Sequence, residues 1–345
     1  MKKKTKIVIF SIVLIISLLV ISVGGFFFCK INSAAFAIDK PSYIYIDENK
    51  DYKQVLTQLD ATGHIQNLGV FKLLSKQMKY PENIKSGRYE ITPHMSYLEA
   101  VRTLRNGQQA PVKLTFNNVR LKSDFIKRVS SQFIFSEEEL AALLSDSTVV
   151  DKLGFDTTTI LTLFIPNTYE MYWNTSADKF LARMKKEYNR FWTRERLKKA
   201  ANLSLTPIEV SILASIVEEE TANRAEYPMV AGLYLNRLRK GMALQADPTV
   251  KFAVGDVSLR RILFEHLKVE SPYNTYKHTG LPPGPIRVPS IQGIDGVLNA
   301  TQHTYLYMCA KEDFSGTHNF AVTLAEHSRN AKKYQAVLNK LKIKN

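Results

Sequence analysis

A chain of 345 residues that is 45% hydrophobic and 23% charged buries a core and is too apolar to stay disordered; its length suits an anchor plus two domains. The net charge of +15 is spread along the chain, with clusters at MKKKTK and at KKYQAVLNKLKIKN, and no zinc-finger spacing or RNP signature accompanies it. That argues against a nucleic-acid partner and leaves a basic surface facing an anionic membrane or an acidic polymer.

The first element is an uncharged run from Ile7 to Cys29, preceded by Lys2, Lys3, Lys4 and Lys6. At about 1.5 Å per residue it can cross a bilayer core of about 30 Å. A cleaved signal peptide has a shorter apolar region and a small-residue cleavage site, whereas this run ends in Phe26, Phe27 and Phe28. An uncleaved single-pass anchor is therefore expected, with the lysines in the cytoplasm and the rest of the chain outside. Cys29 and Cys309 have no metal spacing and no evident partner.

The expected fold class is α+β, with residues 1–30 as tip and anchor, 31–40 as a stalk, 41–117 as a small subdomain and 118–345 as a second domain. In the subdomain, "SYIYID" alternates as a strand, and "DYKQVLTQLDATG" and "NLGVFKLLSKQM" read as helices. "SGRYEI" follows as a strand, "SYLEAVRTLRNG" as a helix closed by Gly107, and "PVKLTF" as a last strand, in the order βααβαβ. This unit carries no residue set able to do chemistry and reads as a spacer or binding module. The second domain opens near Asn118. "LKSDFIKRVSSQF", "SEEELAALLSD" and "ADKFLARMKKEYNRFW" read as helices, "TLFIPNTYEMYW" as strand-like, and a charged helix starts near Leu324.

The stretch "TPIEVSILASIVEEETA" carries three successive acids, Glu218, Glu219 and Glu220. Thr206, Pro207 and Glu209 form a helix-start signature. At about 100° per residue, Glu220 falls on the face of Leu213, Ile216 and Val217, Glu219 on its flank, and Glu218 on the opposite, solvated side. An inward carboxyl with carboxylate neighbours keeps its proton to higher pH, which suits a general acid. The alternatives are a frayed helix end, or a pair with Arg224 or Arg237.

After the helix "YPMVAGLYLNRLRKGM", polar side chains cluster on stiff loops. "ALQADPTV" supplies Gln245, Asp247 and Thr249; "SPYNTY" supplies Asn274, Thr275 and Tyr276; "GTHNF" supplies His318 and Asn319. Amides, hydroxyls and flat rings on rigid turns are what a sugar-binding groove uses. No GxSxG, HExxH, Walker A or GxGxxG is present, the seven histidines lack ligand spacing, and neither a metal nor a cofactor is expected.

The series "ASIVEEETA", "LYLNRLRKGMALQADPTV", "SPYNTYKHTGLPPGPI", "YLYMCA" and "GTHNFAVTLAEH" closely resembles the motifs of the YceG-like (MltG) endolytic murein transglycosylases. The resemblance covers the whole chain and implies a transmembrane helix, a LysM-like subdomain and a YceG-type α+β catalytic domain. It implies cleavage of the bond between N-acetylmuramic acid and N-acetylglucosamine in nascent peptidoglycan strands, leaving a 1,6-anhydro end. Glu220 maps to the family's catalytic acid, and the resemblance implies that it acts as single acid and base. The family context implies a bacterial cytoplasmic (inner) membrane location, association with peptidoglycan synthases (penicillin-binding proteins) and a limit on strand elongation. Two positions depart from the usual pattern: Asn167 stands where aspartate is common, and Glu219 where lysine is common, which makes the site more acidic. A hydrolase with Asp247 as second carboxylate, and an inactive glycan-binding scaffold, stand as the alternatives.

Overall fold

The computed structural model describes residues 2–117, 119–256, 259 and 262–340. Asn118, the expected start of the second domain, and the last five residues of the basic C-terminal run lie outside the described residues. The elements in chain order are α1 (Lys2–Ile31), β1 (Ser42–Ile46), α2 (Tyr52–Ala61), α3 (Leu68–Gln77), β2 (Gly87–Ile91), α4 (Tyr97–Asn106) and β3 (Val112–Thr115). They continue with α5 (Lys122–Ser130), α6 (Glu137–Ser145), α7 (Ser147–Lys152), β4 (Thr168–Met171), α8 (Ala177–Phe191), α9 (Arg194–Asn202) and α10 (Pro207–Glu220). The last are α11 (Tyr227–Arg239), α12 (Asp247–Val254), α13 (Ile291–Leu298), β5 (Tyr307–Ala310), β6 (His318–Ala321) and α14 (Leu324–Lys340).

Within α1, the segment Lys6–Ile31 has 26 residues and contains an 18-residue window of mean hydropathy 3.1, long and apolar enough to cross a membrane. Its large side chains, such as Phe10 and Phe26, are exposed, which in water would be unfavourable for so continuous an apolar surface.

The chain divides into two compact units. The first comprises Met1–Lys113, Gln132–Ile134 and Glu170–Thr175. Here β1 and β2 pair antiparallel, Ser42 opposite Ile91 and Ile46 opposite Gly87. Ile44, Ile46, Tyr89 and Ile91 point inward from this ribbon and meet Leu59 of α2, Phe71 of α3 and Val101 of α4. Local chemistry sets the helix ends: Asp51 and Asn67 cap α2 and α3, and Ser96 with Glu99 forms a reciprocal capping box on α4. Gly107 closes α4 at φ 72°, a left-handed conformation that glycine adopts without a Cβ clash. The element order βααβαβ appears, but β3 pairs with β4, outside the β1–β2 ribbon. The expected stalk is also different: Ala35 and Phe36 are fully buried in this core, and Ala34 and Phe36 bridge to Ser96 and Ile65. Residues 34–38 form an apolar run, Ala-Ala-Phe-Ala-Ile, whose burial draws that segment in.

The second unit comprises Leu114–Ser131, Phe135–Tyr169 and Ser176–Asn345. Phe116, Phe125, Phe164 and Phe180 form one aromatic cluster, with Phe116 and Phe125 edge to face at 5.3 Å. The strand-like "TLFIPNTYEMYW" splits into a 3-10 turn, Ile160–Leu163, and the short β4. At the centre lies α10. Thr206 and Glu209 make its capping box and Pro207 occupies its first turn. It packs against α9, α11, α12, α13 and the 3-10 turn, so every residue from Val210 to Val217 is buried. A helix apolar all round belongs inside a domain, and its C-terminal end delivers the three acids to different neighbours.

Candidate active site

Glu218 is not the solvated charge that helical phase suggested. Its side chain is 4% exposed. The Ser290 N–H donates to it at 3.0 Å, the Ser290 hydroxyl bonds it closely, and Arg287 lies 3.5 Å away. Glu218 thus sits at the N-terminus of α13, where the exposed N–H groups and the helix dipole favour a carboxylate. Gly293 makes room for it, since a Cβ there would overlap the Glu218 carboxylate. The phase argument assumed a solvated far side, and α13 covers that side.

Glu219, on the flank, is held between two guanidinium groups, Arg120 at 2.7 Å and Arg287 at 2.5 Å. The acid at the family's lysine position is therefore balanced by two arginines. Glu219→Lys places three cations together at a site where Glu219 is 17% exposed. It is expected to lower stability by about 2–3 kcal/mol, less than for a fully buried pair because Arg120 is 41% exposed. Chemical denaturation of the variant beside wild type tests this, and coincident midpoints refute it.

Glu220 lines a cleft of about 380 Å³ together with Tyr234, Arg237, Gln245, Asp247 and Tyr276, and with Tyr307, His318 and His327. The Tyr234 hydroxyl donates to Glu220 Oε1 at 2.6 Å. Burial pushes the Glu220 carboxyl up to about 7; the Tyr234 bond opposes this, Asp247 adds to it, and Arg237 and Lys251 oppose it. The carboxylate that helps Glu220 keep its proton is thus Asp247, from another element, and the neighbours in sequence play no such part. Arg237 does not pair with Glu220. Its Nε donates to the Leu306 carbonyl at 2.7 Å and its Nη1 to that of Leu244 at 2.8 Å, tying the 243–246 loop and the β5 approach to α11.

The eight residues expected to bind substrate divide into two groups. Gln245, Asp247, Tyr276 and His318 line the cleft. The Tyr276 hydroxyl donates to Asp247 Oδ1 at 2.6 Å, and burial raises its pKa, so it stays a donor. Gln245 holds a left-handed φ of 50°, a conformation that costs a non-glycine residue about 1 kcal/mol. The other four are bonded within the framework. Thr249 and Thr275 are buried; their hydroxyls lie 2.8 Å apart, and Thr275 Oγ1 accepts from the Ala246 N–H at 3.0 Å. Buried Asn274 donates to the carbonyls of Leu267 and Val269 and accepts from the Tyr276 N–H at 3.1 Å. Asn319 donates to Glu312 at 2.8 Å. These side chains position Gln245, Asp247 and Tyr276, or brace the β5–β6 hairpin, and the polarity that marked them is spent on backbone groups and on other framework side chains.

Sequence reasoning missed Tyr234 and Glu226 and assigned Arg237 no role in shaping the cleft. Tyr234 and Arg237 are three apart on α11, hence on one face, a signal that was present in "LYLNR". Glu226 lies in the 3-10 turn Arg224–Glu226 just after the acidic helix and contacts His318 of β6. Among the described residues, no group of three His, Cys, Asp or Glu side chains is placed to hold a metal ion.

One carboxyl raised to about 7 by burial thus lies in a groove lined by tyrosines, a second carboxylate and two histidines. The sequence matches the YceG-like family over residues 44–333, and the chain belongs to that family. It is 28% identical over 272 residues to an endolytic murein transglycosylase of Bacillus subtilis, an alignment covering 74% of each chain. It is 25% identical over 360 residues to an endolytic murein transglycosylase of Streptococcus pneumoniae serotype 2, covering 93% of this chain and 64% of that longer relative. The fold resembles the crystal structure of a yceG-like protein, lmo1499, of Listeria monocytogenes, with a TM-score of 0.54 and 26% identity over 84% of this chain and 99% of that one.

Proposed function

We propose that this chain is a membrane-anchored lytic transglycosylase that cuts within peptidoglycan glycan strands, with Glu220 as its single acid and base. The observation that carries this reading is the Glu220 carboxyl, kept protonated to about 7 by burial and bonded by Tyr234 at 2.6 Å. Because Oε1 accepts from Tyr234, the proton of the acid form sits on Oε2. Glu220 donates that proton to the glycosidic oxygen between N-acetylmuramic acid and N-acetylglucosamine. As the C1–O bond breaks, the C6 hydroxyl of the same muramyl residue attacks C1. Its proton passes to the Glu220 carboxylate, which restores the acid, and no water is consumed. Tyr234 stabilises the carboxylate between the two transfers; its own pKa is raised well above the usual phenol value by burial and by Glu220, so it remains a donor.

A hydrolase would need a second carboxylate to activate water or attack C1, and Asp247 shares the cleft. Mass spectrometry of strands digested by the wild type separates the two readings. Transglycosylation leaves 1,6-anhydro ends, and hydrolysis leaves ends heavier by one water. Products of the heavier kind, or none, would overturn the proposal.

The remaining parts of the reading are proposals that the family resemblance supports. The α1 segment serves as a single-pass anchor in a bacterial cytoplasmic membrane, its lysine-rich end inside and the cleft outside. The first unit, with its βααβαβ order, is a LysM-like module. The substrate is nascent strand emerging near the membrane, the partners are peptidoglycan synthases, and cleavage limits strand elongation.

A further inference from the structure

Glu226 takes no part in the proton transfers above, yet its carboxylate is bonded by Thr221 and twice by His318. Its side chain is 12% exposed and that of His318 is 15% exposed. Glu226 Oε1 accepts the backbone N–H of His318 at 2.8 Å. Its Oε2 accepts the Thr221 hydroxyl at 3.0 Å and lies 2.9 Å from His318 Nδ1. A carboxylate only accepts hydrogen bonds, so Nδ1 carries the hydrogen. In the neutral ring the lone pair then belongs to Nε2, on a side chain that lines the cleft. Thr221 directly follows Glu220 and caps α10. One carboxylate therefore joins the end of the helix that bears Glu220 to the strand that bears His318.

We infer that Glu226 is a positioning residue that holds His318 as its Nδ1–H tautomer, so that Nε2 accepts a hydrogen bond from a sugar hydroxyl of the glycan in the cleft. The choice of a sugar hydroxyl rests on the function proposed above; the tautomer does not. No bond is made or broken in this role.

The isosteric variant Glu226→Gln tests it sharply. The His318 N–H needs an acceptor at Oε1, so the amide oxygen must stay there and the NH2 group falls at the Oε2 position. That group donates to Nδ1, which must then give up its hydrogen, and Nε2 becomes a donor. The full chain in detergent micelles, labelled with ring-15N histidine, reports the tautomer by NMR in the absence of substrate, with His318 assigned by its loss in His318→Asn. Wild type is expected as Nδ1–H and Glu226→Gln as Nε2–H. The variant's kcat/KM on glycan strands is expected to fall roughly two- to tenfold, the size of a lost hydrogen bond between neutral groups. An Nε2–H signal in the wild type overturns the inference without any variant. So does a Glu226→Gln protein that keeps Nδ1–H, or one that switches tautomer with kcat/KM undiminished. A wild type with the Nδ1–H tautomer that cuts no glycan overturns the transglycosylase reading and the sugar contact together, while the tautomer assignment stands.

Discussion

Glu220→Gln is expected to fold and to lower turnover on peptidoglycan strands by about 10³-fold or more. The amide is isosteric and can still accept from Tyr234, so the cleft keeps its shape. It has no proton to give the leaving oxygen at neutral pH and cannot take one from the C6 hydroxyl. The two transfers it loses belong to one group, so a single substitution stops both halves of the reaction. The assay is release of anhydro-muramyl ends from purified strands, measured by mass spectrometry beside wild type. Residual activity within tenfold of wild type would remove Glu220 from the chemistry. Asp247→Asn is the companion: it is expected to slow the reaction while leaving the anhydro product. A loss as complete as that of Glu220→Gln would show that two carboxylates are required.

The same substitution is expected to stabilise the protein where it inactivates it. The Glu220 carboxyl titrates near 7 when folded and near 4.5 when solvated. Between those pH values the unfolded chain has released a proton that the native chain still holds. Stability from this group therefore falls as pH rises through that window, reaching a deficit of up to about 3 kcal/mol above pH 7. Glu220→Gln has no charge to desolvate. Its denaturation midpoint should match that of wild type near pH 4 and exceed it near pH 8. Groups remote from Glu220 titrate alike in both proteins, so the difference curve reports this carboxyl together with its coupling to Asp247. A flat difference between pH 4 and pH 8 would mean that Glu220 is not held protonated by burial. The result would also express a general trade: a group kept in an unfavourable setting for its chemistry detracts from stability.

Glu219 shows how context redirects a local rule. Three acids in a row predict mutual repulsion, which would drive each carboxyl toward its protonated form. In the fold, Glu218 is taken by the start of α13 and Glu219 by Arg120 and Arg287, residues 99 and 68 positions distant. Glu220 alone faces the cleft, and the carboxylate that acts on it is Asp247.

The sequence by itself determined the parts that depend on near neighbours. The capping boxes at Ser96, Ser136 and Thr206, the glycine stop at Gly107 and the apolar run of α1 are all set by residues within a few positions of one another. Such features are legible because local backbone chemistry does not wait for the rest of the chain to fold. Helical phase also turned Glu220 inward, although its premise of one solvated face fails for a helix buried on all sides. Tertiary structure alone decided which polar residues reach the cleft. Thr249, Asn274 and Thr275 are as polar as Gln245 and Tyr276, but buried backbone groups nearby claimed their hydrogen bonds first. It also decided the place of Glu226, whose partners lie five and 92 residues away. Desolvation and hydrogen-bond competition act on groups brought together in space, and neither can be read along the chain.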